Sequence, residues 1–172
     1  KTSGFKVFAD VTARGGLVKA LNAKGCIDFS RKDIDDLTAF AAIYKAKGLA
    51  WIKVREDSWQ SPIAKFFTDA EKAALTERIG MAPGDLVFFV ADVPAVANEA
   101  LGHLRNHLGQ RMGLVNESAY RFVWVTEFPL FETTDDGRLV PMHHPFPSCH
   151  PDDLGLLESD PAAARAVAYD VV

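Results

Sequence analysis

Apolar residues alternate with polar ones in some segments of the chain and form compact runs in others. Alternation over residues 5–11 and 17–21, with Arg14-Gly15-Gly16 between them, predicts two strands joined by a glycine turn. Compact apolar runs over residues 49–54 and 85–92 predict two further strands. The run at 85–92 is apolar on both faces, so we expect it in the interior of a sheet.

Other segments carry apolar residues at spacings of three and four. Two of them begin with a capping box, at residues 30–33 and 68–71, and we expect their helices to end at Gly48 and Gly80. Ser61-Pro62 predicts a short helix over residues 63–67, and the apolar positions of residues 96–112 predict a further, longer helix. Strands interleaved with helices predict an α+β fold, a two-layer sandwich in which helices cover one face of a mostly antiparallel sheet.

The pattern changes after about residue 115. Residues 122–125 predict a strand, and residues 135–138 predict a hairpin-like turn before a loop rich in proline and histidine. Asp160-Pro161 combines an acidic cap with proline at the first helical position, and alanines follow. We expect a last helix that begins there and continues to Val172.

Composition narrows the class of protein. The chain has 172 residues, of which 48% are apolar, enough for one core and a small second lobe. It has no apolar run of about 18 residues and no signal-peptide start, so we expect a soluble protein without a membrane partner. Cys26 and Cys149 lie far apart, as expected of free thiols in the cytoplasm. A first residue that is not Met and an uncapped apolar end predict a chain cut at both ends.

The two halves of the chain differ in charge. Residues 1–80 carry 14 Lys and Arg against 10 Asp and Glu, whereas residues 81–172 carry 5 against 13. A weakly basic half can contact nucleic acid, or it can be a solvated helical face. Without a run of basic residues, charge alone does not predict nucleic-acid binding.

The densest group of candidate functional residues lies in the loop at residues 142–146. His143 and His144 stand before a proline, and imidazoles near neutral pH can donate, accept or titrate in the recognition of a small charged ligand. The alternative is one buried, hydrogen-bonded histidine and one exposed histidine. Together with Cys149 and His150 the pair could also ligate zinc, although the spacing matches no usual structural zinc site.

Three further groups have both a functional and a structural interpretation. Asp170 is either a solvated carboxylate or a ligand of nucleotide-bound Mg²⁺. His103 and His107, four residues apart on the long helix, are either solvated or able to share a metal. Five aromatic side chains are interpreted as core packing rather than base stacking: Trp51, Phe66, Phe67, Phe88 and Phe89.

Several strings of residues in the first part resemble a known domain. Residues 48–54, 60–66 and 84–92 resemble the GAD insertion domain of bacterial-type aspartyl-tRNA synthetase, a domain shared with a subunit of tRNA-dependent amidotransferase. The resemblance implies a GAD/DCoH-like domain at residues 4–118.

The second part distinguishes between the two families. Residues 124–132, 142–146 and 163–172 are similar to the segment where the synthetase chain re-enters its class II catalytic domain. The amidotransferase subunit would share only the first part. The resemblance therefore implies a partial, truncated class II segment at residues 119–172.

The family's activity supplies the expected site. The resemblance implies a parent enzyme, a homodimer, that activates L-aspartate with ATP and Mg²⁺ to aspartyl-adenylate and transfers it to tRNA. His143 and His144 would contact aspartate, and Asp170 would belong to the acidic pair at ATP-bound Mg²⁺. Residues 146–150 depart from the family's usual Thr-Ser-Pro run.

The isolated chain is expected to be inactive. The other class II motifs and the anticodon-binding barrel are missing from it, and positioning supplies most of the rate of adenylate formation. We expect a monomer with no resident cofactor or metal. Two alternatives remain open: a stand-alone tRNA-contacting GAD module, and a small metal protein that uses His143, His144, Cys149 and His150. Whether the parent also charges asparagine tRNA stays open as well.

Overall fold

The computed structural model describes residues 4–134, 136–142 and 147–172. The chain divides into two units, Lys1–Asn116 and Glu117–Val172.

The described residues of the first unit form four helices, four strands and one turn of 3-10 helix at Ala64–Phe66. In chain order the helices and strands are α1 (Lys6–Ala13), β1 (Leu17–Ala23), α2 (Arg31–Ile43), β2 (Ala50–Val54), β3 (Trp59–Gln60), α3 (Asp69–Ile79), β4 (Leu86–Asp92) and α4 (Pro94–Arg111).

The four strands form one antiparallel sheet in the order β1-β4-β2-β3. Strand β4 pairs along its whole length with β1, from Leu17 opposite Asp92 to Ala23 opposite Leu86. It also pairs with β2, where Ala50 lies opposite Phe89. The predicted interior position of β4 is confirmed.

Helices pack against both faces of this sheet. On one face, α2 and α4 bury their apolar stripes against Phe88 and its neighbours on alternate positions of β4. On the other face, α1 and α3 pack against Val87 and Phe89. The predicted α+β fold with an antiparallel sheet is confirmed, and the structure adds helices on the second face. Two-sided burial explains why β4 is apolar at almost every position.

The strand predicted at residues 5–11 is wrong, because this segment lies in and before helix α1. Phe5 and Phe8 are one helical turn apart, with ring centroids 4.9 Å from each other, and Phe8 reaches Phe89 across the sheet face at 5.9 Å. The Thr12 hydroxyl donates to the carbonyl oxygen of Phe8 at 2.9 Å. The helical spacing of the residues that become buried outweighs the partial alternation.

The predicted capping boxes of α2 and α3 and the end of α3 are confirmed, whereas the predicted end of α2 at Gly48 is wrong. Ser30 accepts from the backbone N–H of Asp33 and forms the capping box of α2, and Thr68 does the same for α3. Helix α3 ends at Gly80, whose φ of 59° is left-handed and favours glycine. Helix α2 ends at Ile43, before Gly48, since Lys45 adopts a left-handed φ of 65°.

The second unit consists of short elements. They are β5 (Trp124–Val125), β6 (Phe131–Thr133), β7 (Leu139–Pro141), α5 (Leu156–Ser159) and β8 (Asp170–Val171), with 3-10 turns at Pro151–Asp153 and Pro161–Ala163. Strand β6 pairs with β7 as a hairpin, as the sequence predicts, and β5 pairs with β8.

The last helix predicted from Asp160 to Val172 is wrong. One 3-10 turn forms at its start, and the chain then becomes extended. Ala166 donates its backbone N–H to Phe128, while the carbonyl oxygen of Ala164 accepts from Leu130. Both alanines are buried. Pairing with two neighbouring segments and burial of small side chains outweigh the helix propensity of alanine, which amounts to only tenths of a kcal/mol per residue.

Two further observations concern general properties of the chain. Both cysteines are free thiols; Cys26 is buried, and burial raises the pKa of its thiol. Among the described residues, none of the helices has the length and apolarity that crossing a membrane requires.

Candidate functional site

Asp170 lies on strand β8, opposite Val125 of β5. Backbone hydrogen bonds between Val123 and Val172, 2.9 and 3.0 Å long, extend this pairing at its end. The Asp170 carboxylate is exposed and makes no hydrogen bond or ion pair with the described residues. The carboxylate oxygens are therefore accessible as metal ligands, and the backbone that carries them is held by its pairing with β5.

His143 and His144 lie outside the described residues, so their geometry relative to Asp170 stays a prediction. The segments that flank the loop are in contact with the rest of the second unit. Met142 donates its backbone N–H to Leu130 at 3.1 Å, and Ser148 accepts from Val167 at 2.8 Å.

Arg165 makes the densest group of polar contacts in the second unit. Its guanidinium donates two hydrogen bonds to the carboxylate of Asp153, at 2.7 and 2.9 Å, and its backbone N–H donates to the same carboxylate at 2.9 Å. A further guanidinium N–H donates to Glu127 at 3.1 Å. Asp153 is 7% exposed. A bidentate pair that also includes a backbone bond fixes the extended segment after residue 163.

The charges of this network stabilise each other. The guanidinium and backbone hydrogen bonds from Arg165 lower the pKa of Asp153 from 3.8 to about 2, and Asp153 in turn raises the pKa of Arg165. Sequence reasoning missed this pair. The available signal was an isolated arginine among the alanines of residues 161–168.

A second buried carboxylate, Asp85, lies in the first unit within one of the strings that resemble the GAD domain. It is 4% exposed and accepts three hydrogen bonds, from the side chain of Asn22 at 2.9 Å and from the backbone N–H groups of Gly25 and Ala82 at 3.0 Å each. Burial raises its pKa, but these three hydrogen bonds outweigh burial and the net pKa is lowered. Asp85 thus joins the end of β1 to the turn before β4.

The two histidines of α4 stack on aromatic rings at the C-terminal end of α2, from Phe40 and from Tyr44, the residue that follows the helix. The His103 ring lies 3.9 Å from that of Tyr44 with an angle of 7° between the planes, and the His107 ring lies 4.4 Å from that of Phe40. Stacking adds to the packing of α2 against α4 and occupies one face of each imidazole. The interpretation as merely solvated side chains is therefore incomplete.

The metal hypothesis gains no support from the described part of the chain. Within it, no group of three or more His, Cys, Asp or Glu side chains is arranged to hold a metal ion. His150 instead accepts a hydrogen bond from the backbone of Asp152 at 3.3 Å. The remaining two ligands of the hypothesis, His143 and His144, lie outside the described residues.

The aromatic residues are part of the two cores. Phe88 and Phe89 are buried on opposite faces of the sheet. Trp51 is half-buried against the core under α2 and α4, and Phe66 and Phe67 are half-buried against the core under α1 and α3. Their interpretation as packing residues is confirmed.

The geometry of the second unit limits what it can do chemically. Mg²⁺ prefers six oxygen ligands and is usually held by one or two carboxylates together with phosphate oxygens and water. Asp170 can supply one such carboxylate. Among the described residues, Arg165 is engaged with two carboxylates, so it is not free to neutralise a phosphate.

Comparison with known proteins finds one family model that matches part of the first unit and relatives that match nearly the whole chain. The family model of the GAD domain matches residues 8–101. The chain is also similar over nearly its whole length to an aspartate–tRNA(Asp/Asn) ligase of Desulfatibacillum aliphaticivorans. The two are 65% identical over 172 residues, and the alignment covers 99% of the chain and 29% of that relative.

Two other relatives extend the similarity. An aspartate–tRNA(Asp/Asn) ligase of Desulfosudis oleivorans is 58% identical over 170 residues, 98% of the chain and 28% of the relative. An aspartate–tRNA ligase of Lysinibacillus sphaericus is 52% identical over 171 residues, 98% of the chain and 29% of the relative. The chain spans less than a third of the length of the curated relatives that it matches. Because the domain match covers more than half of its residues, the chain belongs to the GAD domain family.

Proposed function

We propose that this chain is the part of an aspartate–tRNA ligase that carries the GAD domain and a strip of the catalytic domain. The ligase activates L-aspartate with ATP to aspartyl-adenylate and transfers the aspartyl group to tRNA. The proposal assigns residues 4–118 to the GAD domain and residues 119–172 to the catalytic strip. The observation that carries it is the similarity of nearly the whole chain, including the part beyond the GAD match, to relatives named as aspartate–tRNA ligases.

Surface exposure in the second unit supports the same proposal. Large apolar side chains that normally enter a core are exposed there, including Tyr120 at 82%, Phe122 at 80% and Trp124 at 65%. Tyr169 and Val171, on and beside β8, are exposed as well. Contiguous exposed apolar residues mark a surface that another part of a protein covers. A strip of catalytic domain that packs against the rest of that domain has this character.

Three residues are proposed to act in the catalytic strip. Asp170 would supply one oxygen ligand to the Mg²⁺ ion bound to ATP, a role that its exposed carboxylate permits. His143 and His144 would bind aspartate, since imidazoles can donate hydrogen bonds to a carboxylate. Mg²⁺ supplies charge neutralisation at the triphosphate, which one carboxylate and two histidines cannot replace. The isolated chain is therefore proposed to be inactive.

A chimaeric enzyme tests the function. The chain replaces the matching segment of the Desulfatibacillum aliphaticivorans ligase, and aspartate-dependent exchange of pyrophosphate into ATP is measured. We expect the chimaera to retain exchange and aminoacylation of aspartate tRNA, and the isolated chain to have neither. A folded chimaera without exchange, or robust exchange by the isolated chain, contradicts the proposal.

Substitutions in the same chimaera separate the proposed roles. Asp170→Asn is expected to lower exchange and to raise the Mg²⁺ concentration needed for half-maximal rate, whereas His143→Ala is expected to raise the KM for aspartate. Glu158→Gln changes an exposed acidic residue of the same unit, and we expect it to leave both quantities unchanged. Equal effects of Asp170→Asn and Glu158→Gln would contradict the proposed role of Asp170 as a Mg²⁺ ligand.

A further inference from the structure

Strand β1 forms a long unpaired edge of the sheet. The strand at the opposite edge, β3, has two residues, whereas β1 has seven. Among the described residues, no backbone hydrogen bond joins residues 17–22 to any segment other than β4. The outward N–H and C=O groups of such an edge are a template for another strand.

Apolar grooves lie on both faces of the sheet beside this edge. The first groove, about 560 Å³ in volume, lies between α1 and α3 and exposes Val18 and Ala20 at its floor. The second, about 440 Å³, lies beside α4 and is lined by Leu21, Leu108 and the exposed Leu114. Successive side chains of a strand point to opposite faces. A strand paired with β1 would therefore direct alternate side chains into the two grooves.

Basic side chains surround the edge. Lys19 is exposed on β1 itself, Arg78 lines the first groove, and Lys24 and Arg105 line the second. None of these four forms an ion pair with a described residue; Lys19 donates to the neutral side chain of Asn98 and Lys24 to a backbone oxygen.

Few acidic side chains lie beside these basic ones. Among the described residues that line the two grooves, the one acidic side chain is that of Glu71. Its carboxylate accepts the backbone N–H of Thr68 at 2.8 Å as part of the helix cap. The edge and its grooves therefore present apolar surface within a net positive field, which attracts an acidic partner.

We propose that β1 is the docking edge for an acidic, extended polypeptide segment, which adds to the sheet as a fifth strand. A short apolar stretch of this segment fills the two grooves, and acidic residues on either side of it pair with the four basic side chains. Backbone hydrogen bonds provide affinity in this mode of recognition, and side-chain pockets provide specificity. Lysine on an edge discourages pairing with purely apolar strands, so the same charge that attracts an acidic segment rejects other strands.

A synthetic peptide tests the proposal with the intact 172-residue chain. The probe is acetyl-Asp-Glu-Val-Ile-Val-Glu-Asp-amide, and its affinity is measured by calorimetry. A version with lysine at the four acidic positions tests charge, and a version with alternate backbone nitrogens methylated tests strand pairing. We expect binding of the first peptide alone, weakened by salt, with new amide protection from hydrogen exchange at residues 17–22.

Two charge-reversal variants separate the edge from general electrostatics. Lys19→Glu combined with Arg105→Glu is expected to weaken binding of the acidic peptide about tenfold or more, because two attractions become repulsions. Lys32→Glu reverses an exposed charge on α2 that lines neither groove, and we expect less than about a twofold change. Circular dichroism verifies that both variants are folded.

Several results would overturn the proposal. They are equal binding of the acidic and lysine peptides, equal binding of the methylated peptide, and protection confined to residues outside β1. Self-association of the chain that protects residues 17–22 would assign the edge to a second copy instead. Unchanged affinity in the folded Lys19→Glu, Arg105→Glu variant would also contradict it.

Discussion

Two buried carboxylates, Asp85 in the first unit and Asp153 in the second, tie together segments that are separated in sequence. Asp85 accepts hydrogen bonds from Asn22, Gly25 and Ala82, and Asp153 accepts them from the side chain and backbone of Arg165. A buried charge is costly unless its oxygens are hydrogen-bonded, and both carboxylates meet this condition. Their main effect is to fix loop geometry.

Substitution of Asp85 tests this effect in the first unit. Asp85→Asn places an amide N–H₂ among backbone and side-chain donors, and we expect a loss of about 2–3 kcal/mol in the free energy of unfolding from unpaired buried groups. Urea unfolding followed by circular dichroism measures it. Asp57→Asn, at an exposed position of the β2–β3 turn, is the control and should change stability little. A loss no larger than that of the control would mean that the three hydrogen bonds contribute little.

The ion pair of the second unit predicts a pH dependence. The folded pKa of Asp153, about 2, lies below its ordinary value of 3.8. The ionised carboxylate therefore stabilises the folded unit above pH 3.8, and this contribution is lost as the pH falls towards 2. The chemical shift of the Arg165 amide proton should titrate with a midpoint near 2. Asp153→Asn should remove this step and Asp152→Asn should retain it; a midpoint near 3.8 in the unmodified chain would disprove the pairing.

At the scale of elements, caps and turns were predictable and terminal segments were not. A helix cap depends on residues within a few positions of it, so the spacing in the sequence is enough to predict it. The examples are Ser30 with Asp33, Thr68 with Glu71, and Gly80. The structure of residues 5–11 and 160–172 depends on which distant surface covers them. Phe8 packs on Phe89 and Ala166 pairs with Phe128, and neither contact can be read from local periodicity.

The roles assigned to His143, His144 and Asp170 stay predictions, and of these three residues Asp170 alone lies among the described residues. The residues of the second unit that resemble catalytic positions were recognisable as strings, and Asp170 lies on an exposed strand rather than on the expected helix. The Arg165–Asp153 pair was not predicted, since its members lie twelve positions apart in sequence, with the short helix α5 and two turns between them. Local patterns indicate residue types, whereas pairing across loops follows from the fold.

Substitution of alanine for two glycines, Gly16 and Gly102, is expected to change the stability in opposite directions. Gly16 connects α1 to β1, and a Cβ there would lie 2.5 Å from a methyl group of Val11 and 3.0 Å from the carbonyl oxygen of Asp92. We expect Gly16→Ala to destabilise the protein by about 1–3 kcal/mol through overpacking. Thermal unfolding measures the change.

Gly102 provides the matched comparison for the same substitution. It lies inside α4, where a Cβ would meet no atom within 4 Å. Gly102→Ala should stabilise the protein by about 0.5–1 kcal/mol, because alanine favours the helix. Destabilisation by both substitutions to the same extent would show that Gly16 is not specially constrained.

At the scale of the whole molecule, the two units differ in how they bury apolar residues. The first unit has two cores on either side of a four-stranded sheet. The second relies on short strands and leaves many large apolar side chains exposed. A unit of fewer than about 60 residues buries too little surface for more than marginal stability. Each apolar side chain that stays exposed therefore removes a larger share of the stability of the second unit than of the first.

Separate expression of the units tests this difference. Residues 1–116 alone should unfold cooperatively and retain slow amide exchange in β4, because both cores lie within them. Residues 117–172 alone should bind a hydrophobic dye and lack a cooperative transition. An unfolded first fragment, or a cooperatively folded second fragment, would contradict this assignment of stability.

The interior position of β4 also determines the order in which the fold can form during synthesis. Its neighbours β1 and β2 are made earlier. Until β4 emerges from the ribosome, β1 has no strand partner and β2 has only the two residues of β3. Contacts between segments so distant in sequence form slowly, and unpaired apolar strands are prone to aggregate while they wait. Strand β1 therefore lacks its full partner until Asp92 has been translated and has left the exit tunnel.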